Sequence, residues 1–351
     1  MKPQDTNTDN NALKVIVIDD SFGAIASHWA YSTPNLQIIG RVRHDLDSYE
    51  KELLDVLPNF RPDVLAYSGK GAAVAASRAR YIFNRLREKN NDHPFCRSYL
   101  QAIEVARIQN TNIQHRLPVH SPDVDFLKSF PNVWLQMGIS YPFDLLMIQT
   151  DGDDLIINDV LKANSAHYIP FAYNEHLFHP INTEKHLDIG MFFKVERHAY
   201  RIPFIETINE IANRHGWKTM FSEQYWGKAY VEALCSAKII LHYSKYGDVP
   251  YRLYEVAGCR GCLLTDKLSY GIEKLFSTGI HFCEFERDLS DLEDKLFWLL
   301  QDQTTRESIA MSAYEHSTKN HTWNSVAERL IVPLLRQRLA IKKQHSRITI
   351  R

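Results

Sequence analysis

The chain has 351 residues, room for two domains of ordinary size, and its 44% apolar content can fill real cores. A net charge of −1 and a charged fraction of 24% exclude a polyanion as the main partner and give no strong nucleic-acid signature. No apolar run approaches the ~20 residues of a membrane span, so no transmembrane segment is expected. The polar opening MKPQDTNTDNN lacks the apolar stretch of a secretory signal, and residues 1–12 are read as a disordered lead-in. The five cysteines, Cys96, Cys235, Cys259, Cys262 and Cys283, are odd in number and scattered. That pattern argues against a disulfide framework and fits a reducing cytoplasm, so a cytoplasmic location is expected. Cys259 and Cys262 form one C-x-x-C without a second ligand pair, which favours small buried residues over zinc.

Lys14 to Asp19 (KVIVID) reads as a buried strand, followed by Asp20, Ser21 and Phe22-Gly23. This opening resembles a response-regulator receiver. The third strand of a receiver ends in an aspartate, whereas PDVLAYSGKG ends Ala66-Tyr67-Ser68, so that reading fails. A Rossmann-like half remains: strand, helix, strand at NLQIIG, helix at SYEKELLDVL, strand at DVLAYS. The loops after such strands form the ligand crevice, which puts Asp20, Ser21, Ser68 and Lys70 on the functional edge. Residues 71–109 read as two packing helices, AAVAASRARYIFNRLREKN and CRSYLQAIEVARIQ. RLPVHSP places His120 in a loop. A helix (DVDFLKSF) and two strands (NVWLQMG, FDLLMIQT) follow.

FDLLMIQT runs into Asp151-Gly152-Asp153-Asp154. An apolar strand ending in D-x-D resembles GT-A glycosyltransferases, where the acids hold a divalent metal on the donor diphosphate. The alternative is a helix, DDLIINDVLKAN, whose first turn carries the acids because anions suit a helix N-terminus. The helix reading is favoured here. In AHYIPFAYNEHLFHP, Tyr168 to Phe171 is expected as the last strand of the first domain, which would span residues 13–182.

The second domain, residues 183–321, opens with the strand LDIGMFF. Lys194, Arg197, His198 and Arg201 precede the helix IPFIETINEIANRHG, although cations are disfavoured at a helix N-terminus unless an anion is near. WKTMFS, GKAYVEALCSA and KIILHYS then read as strand, helix and strand. PYRLYEVAGCRGCLLTD reads as a helix, a glycine break and a buried strand. Arg252 and Glu255 are three apart and share one helix face. They suit a nucleotide diphosphate, with the arginine on phosphate and the glutamate on ribose hydroxyls. They equally suit a surface ion pair. Residues 322–351 read as a long amphipathic helix, kinked at Pro333, with a tail. From Arg336 to Arg351 the tail has six Lys/Arg and no acid. A solvated helix end is the favoured reading, with weak contact to an anionic membrane surface as the other.

The run from Arg252 to Asp266 resembles the donor-binding segment of GT-B glycosyltransferases, in particular the CgeB-like (spore maturation protein CgeB) family. CEFE, DLSDLEDKLFWLLQD, TTRESIAMSAYEHSTKN and HTWNSVAERLI extend that resemblance over roughly residues 130–335. It implies an α/β protein of two Rossmann-like domains facing a cleft, with a C-terminal helix crossing back. The implied activity is transfer of a sugar from a nucleotide-diphosphate sugar, a UDP-sugar first among them, to an unidentified acceptor, with no metal and no other cofactor. It carries Arg197, Arg201, Phe221, Ser222, Tyr243, Arg252 and Glu255 over to donor binding. Asp20 and His120 are the candidates for a general base. Related E-x7-E enzymes place a first Glu eight residues before the second, where this chain has Gly247 beside Asp248. Three alternatives stay open: a metal-dependent GT-A enzyme using Asp151 and Asp153, a GT-B-shaped nucleotide-sugar epimerase or hydrolase, and a non-catalytic binding module.

Overall fold

The computed structural model describes residues 11–19, 29–44, 46–68, 72–108, 113–114, 123–129, 136, 139–162, 165–195, 198–223 and 227–348. In the first half these form β1 (Leu13–Asp19), β2 (Leu36–Arg43), α1 (Tyr49–Phe60), β3 (Val64–Tyr67), α2 (Ala72–Lys89), α3 (Pro94–Gln101), β4 (Ile103–Ile108), α4 (Val124–Ser129), β5 (Leu145–Ile148), α5 (Asp153–Leu161) and β6 (Ala166–Tyr168). The second half holds β7 (Leu187–Phe192), α6 (Arg201–His215), β8 (Thr219–Ser222), α7 (Gly227–Ser236), β9 (Ala237–His242), α8 (Tyr251–Gly258), β10 (Leu263–Asp266), α9 (Ile272–Leu275), β11 (Cys283–Phe285), α10 (Leu292–Gln301) and α11 (Gln303–Asn320). The chain closes with α12 (Trp323–Val326), a π-helical turn (Ala327–Ile331) and α13 (Val332–Ile348).

Two parallel sheets result, ordered β2-β1-β3-β4-β5-β6 and β11-β10-β9-β7-β8. Parallel sheets are covered on both faces, which is why strands such as LKVIVID and KIILH are almost wholly apolar. The architecture is therefore α/β with two Rossmann-like domains.

Two expected elements differ. The segment IEVARI, read as the end of a helix, is β4, a strand near the middle of the first sheet. Its Glu104 and Arg107 give a helix-like pattern, yet both are buried and bound. Glu104 accepts from the hydroxyls of Tyr67 (3.1 Å) and Tyr141 (2.8 Å) and from Arg80 (3.1 Å). Burial pushes its carboxyl above the ordinary range, against those donors. Arg107 donates to the Pro170 carbonyl at 3.1 Å, and burial pulls its pKa down to about 10. The other difference is β6, which ends at Tyr168 instead of running from Tyr168 to Phe171. Ile169 still donates to Ile148 at 2.8 Å, but Pro170 has no N–H to continue the ladder. Most of the expected strand NVWLQMG lies outside the described residues.

The chain crosses back after the second domain. Trp323, Val326, Ala327, Ile331, Val332, Leu335 and Leu339 pack into the core made by β1, β3, β4 and β5 of the first domain. The Trp323 indole N–H donates to Tyr31 O at 2.7 Å. Glu328 accepts from the backbone and side chain of Asn35 at 2.9 and 2.8 Å. The irregular turn at Ala327–Ile331 precedes Pro333, and α13 continues through the proline. Several tail cations serve this docking. Arg336 reaches Asn35 at 2.8 Å, Arg338 meets His167 at 2.6 Å, and Lys342 pairs with Asp144 at 3.3 Å. Among the described residues no helix is long and apolar enough to cross a membrane.

His321 sits where the chain crosses. Its backbone carbonyl accepts from Tyr173 at 3.0 Å, and its ring stacks on Phe276 at 4.8 Å with His316 5.3 Å away. Burial, then the His316 imidazole, depress its pKa from 6.5 to about 4. A base held neutral in the fold but protonated on unfolding removes stability as pH falls below 6.5, and the loss continues until about pH 4. From this group alone the protein should be about 2 kcal/mol less stable at pH 5 than at pH 8. Urea unfolding of wild type and His321→Phe at both pH values checks this. Equal pH responses of the two proteins would contradict it.

Candidate functional site

The site candidates of the second domain gather at the C-terminal edge of its sheet. Phe221 and Ser222 end β8, in register with Met191 and Phe192 of β7. Tyr243 follows β9, and α8 begins eight residues further on. Pro250, expected in the first turn of this helix, is its N-cap, one position earlier and extended in backbone.

Helix α8 carries the central pair. Arg252 is 7% exposed, and its Nη1 donates to Glu255 Oε2 at 2.9 Å. Its Nη2 donates to the Phe192 carbonyl at the end of β7, and its guanidinium lies 4.8 Å from the Tyr230 ring centre. The Tyr230 hydroxyl donates to the same Glu255 Oε2 at 2.8 Å. Both bonds thus fall on one carboxylate oxygen, and among the described residues Oε1 accepts none. Burial pushes the Glu255 carboxyl above its ordinary range and Arg252 opposes the shift. Tyr230 gave no signal in the sequence, because one tyrosine on an amphipathic helix looks like core.

The remaining candidates are placed as follows. Arg201, the first residue of α6, is buried. It donates from Nε to Tyr243 O at 3.0 Å and from Nη1 to Lys194 O at 3.1 Å, and its guanidinium lies 4.9 Å from the Phe193 ring centre. Arg201 therefore binds the loop after β7 to the loop after β9. The Tyr243 ring stacks on Phe204 at 4.8 Å and its hydroxyl donates to Arg287 O at 3.1 Å. Phe221 is 38% exposed beside Phe193, and Ser222 is half-buried. His242, at the end of β9, is kept well below the ordinary imidazole pKa by burial, then by Arg201 and His198. Asp20, His120 and Arg197 lie outside the described residues.

A second anchor was not anticipated. Asp266, fully buried at the end of β10, accepts from Ser244 N and Ser244 Oγ, both at 2.6 Å, and pairs with Arg287. Arg287 also reaches the carbonyls of Ser244 (3.3 Å) and Lys245 (3.2 Å), and Gly247 N donates to Ser244 Oγ at 2.7 Å. These bonds hold the loop that leads into α8 and carries Asp248. Sequence could suggest Asp266, as the acid closing an apolar strand, but not its partner Arg287 on another loop.

The D-x-D acids have separate employments. Asp153 is fully buried and accepts from Ile113 N at 2.9 Å and from Gln114 Nε2 at 3.1 Å. Asp154 accepts from Tyr168 N at 2.9 Å, and Asp151 pairs with Lys274 of the other domain at 2.5 Å. Asp153 and Asp154 open α5 as expected, but Gly152 is the N-cap and neither acid caps the helix through its side chain. Cys259 and Cys262 belong to hydrophobic clusters on opposite faces of the second sheet and do not form a ligand pair. Between the domains runs a narrow crevice lined by Gln149, Thr150, Tyr168, Asp248, Tyr254 and Tyr270. The Tyr254 hydroxyl is buried there without a hydrogen-bond partner among the described residues.

Residues 191–332 match the family described as Glycosyl transferase-like. Similar solved structures agree on the fold at low identity. An Anabaena protein, HepE, in complex with UDP-glucose superposes with a TM-score of 0.56 at 9% identity, over 92% of this chain and 99% of that one. Sucrose-phosphate synthase from Thermosynechococcus elongatus gives 0.55 at 12% identity, over 94% and 100%. A glycosyltransferase from Rickettsia africae gives 0.51 at 10% identity, over 95% and 98%. No curated protein matches the sequence at a significant level. The solved structures show that the fold is the two-domain GT-B architecture, and the matched region makes the second domain glycosyl transferase-like. No acceptor is identified by these likenesses.

Removing the anchor carboxylate should unsettle the loop. Asp266→Ala leaves the buried Ser244 amide and hydroxyl without their acceptor and a part-exposed Arg287 without its partner, a loss of about 2 kcal/mol. Urea unfolding measures the loss. A loss below about 1 kcal/mol, the scale of a surface pair, would show that the loop holds without Asp266.

Proposed function

We propose that the protein transfers a sugar from a nucleotide-diphosphate sugar, first among them a UDP-sugar, to an acceptor hydroxyl by a metal-independent mechanism. The observation that carries this is the Arg252–Glu255 pair. Arg252 and Tyr230 fix Glu255 through Oε2, leaving Oε1 to accept from vicinal ribose hydroxyls. The match of this region to a glycosyl transferase-like family and the UDP-glucose bound in HepE support the nucleotide assignment. Arg252 is already committed to Glu255 and to Phe192 O, so its first role is to hold the glutamate, while its positive charge stabilises a diphosphate nearby. Arg201 acts similarly, through the loops it joins. Arg197, in the same stretch, is the further cation assigned to the diphosphate, and Asp20 and His120 are the base candidates. Phe221, Ser222 and Tyr243 form the border of the nucleotide site. The protein is proposed to work in the cytoplasm, and the CgeB-like subfamily is the proposed finer placement.

Metal independence rests on the D-x-D. Asp151 faces Lys274 across the domains while Asp153 is consumed by backbone and amide donors, so the two do not converge as a ligand pair. The GT-A alternative is set aside on that geometry.

Glu255→Ala and Arg252→Ala should each weaken nucleotide-diphosphate binding by roughly ten- to hundredfold, the loss of one charged hydrogen bond. Calorimetric titration with UDP checks this, with circular dichroism confirming the fold. Glu255→Gln keeps the shape and should still bind more weakly than wild type, which guards against a variant that fails through packing. Unchanged affinity in folded Glu255→Ala and Arg252→Ala would overturn the assignment.

A further inference from the structure

We propose that Asp151 and Lys274 form a clasp that holds the two domains closed over the cleft, which makes Asp151 a positioning residue for transfer. Asp151 stands in the turn after β5 of the first domain, and Lys274 is on α9 of the second. Their charged atoms are 2.5 Å apart. The surrounding backbone is shaped for this contact. Gly271, just before α9, has φ +82°, and a Cβ there would lie 2.6 Å from Asp151 Oδ2 and 2.8 Å from Asp151 Cβ. Only a residue without a side chain lets the second domain come so close to Asp151.

The clasp closes the crevice described above. Thr150, next to Asp151, and Tyr270, next to Gly271, both line that crevice. Its free space admits about one water-sized guest. The buried Tyr254 hydroxyl is therefore reached by a sugar-sized group only when the domains part. The pair is suited to reversible use. Lys274 is 62% exposed and Asp151 20%, and exposed pairs shift an equilibrium only several-fold. Such a contact lets the cleft open, admit its ligand and shut on it. Added salt should loosen it, since at 1 M the screening length is about 3 Å. The sequence had singled out this acid as part of a D-x-D, and the geometry gives it a partner in the other domain instead of a metal.

The kinetic part of this inference rests on the glycosyltransferase reading, whereas the closure part does not. The test compares wild type, Asp151→Lys, Lys274→Asp and the double exchange. X-ray scattering of the free proteins at 0.01 M and 1 M NaCl, as chosen conditions of about 30 and 3 Å screening length, reads closure. Transfer or hydrolysis of UDP-glucose reads function. Each single reversal should enlarge the radius of gyration at low salt and raise the donor KM several-fold more than it lowers kcat. The double exchange should restore both. Gly271→Ala, which keeps all charges, should open the protein as the reversals do. Single reversals that stay as compact as wild type, or a double exchange that restores neither readout, would overturn the clasp. Salt-dependent opening reversed by the exchange, in a protein with no donor turnover at all, would keep the clasp and contradict the transferase reading.

Discussion

Arg252 is the tie on which the site depends. It is a buried cation reaching the last carbonyl of β7, a carboxylate on its own helix and the face of Tyr230 on α7. A guanidinium taken out of water needs partners, and here they come from three elements of the second domain, β7, α7 and α8. That requirement sets the rotation of α8, and the rotation determines what its other residues face. Tyr251 and Tyr254 turn toward the first domain, where the Tyr251 hydroxyl donates to Ala172 O at 3.0 Å and Phe171 packs against both rings. Gly258 closes the same helix against Tyr173, where a Cβ would meet the ring at 2.6 Å. One helix thus bears the nucleotide candidate on one side and the domain junction on the other.

The loop before α8 is held by a different device. Asp266 and Arg287 bind it from the ends of β10 and from beyond β11, while Arg201 binds Tyr243 at its start. Three charged side chains therefore act on backbone groups of one loop. Their use for internal order explains why Tyr243 and Arg201 are less accessible than a bare reading of their residue types would suggest. It also leaves Asp248 at the cleft wall, one residue beyond the Gly247 that stands where the E-x7-E pattern would place a glutamate.

Much of this frame was legible in the sequence. Unbroken apolar runs such as KVIVID and KIILH named the buried parallel strands, and the R-x-x-E spacing named the helix face of Arg252 and Glu255. A strand interior holding Glu104 and Arg107 mimics helical periodicity, which hides β4; the hydroxyls of Tyr67 and Tyr141, Arg80 and the Pro170 carbonyl, all distant in sequence, make those charges tolerable there. Tyr230, Arg287 and Lys274 were invisible for the same reason. Each matters through a partner at least twenty residues away, and local pattern carries no signal of that pairing. The basic tail reads as a solvated end in the sequence, yet Arg336, Arg338 and Lys342 take part in docking α13 on the first domain.

The proposed function requires this GT-B frame to bind a nucleotide diphosphate through the second domain without a metal. Calorimetric titration of the full chain with UDP in the presence of EDTA tests it most directly. The account predicts saturable one-site binding of the same affinity with chelator and with added manganese. Binding that appears only with manganese would contradict it.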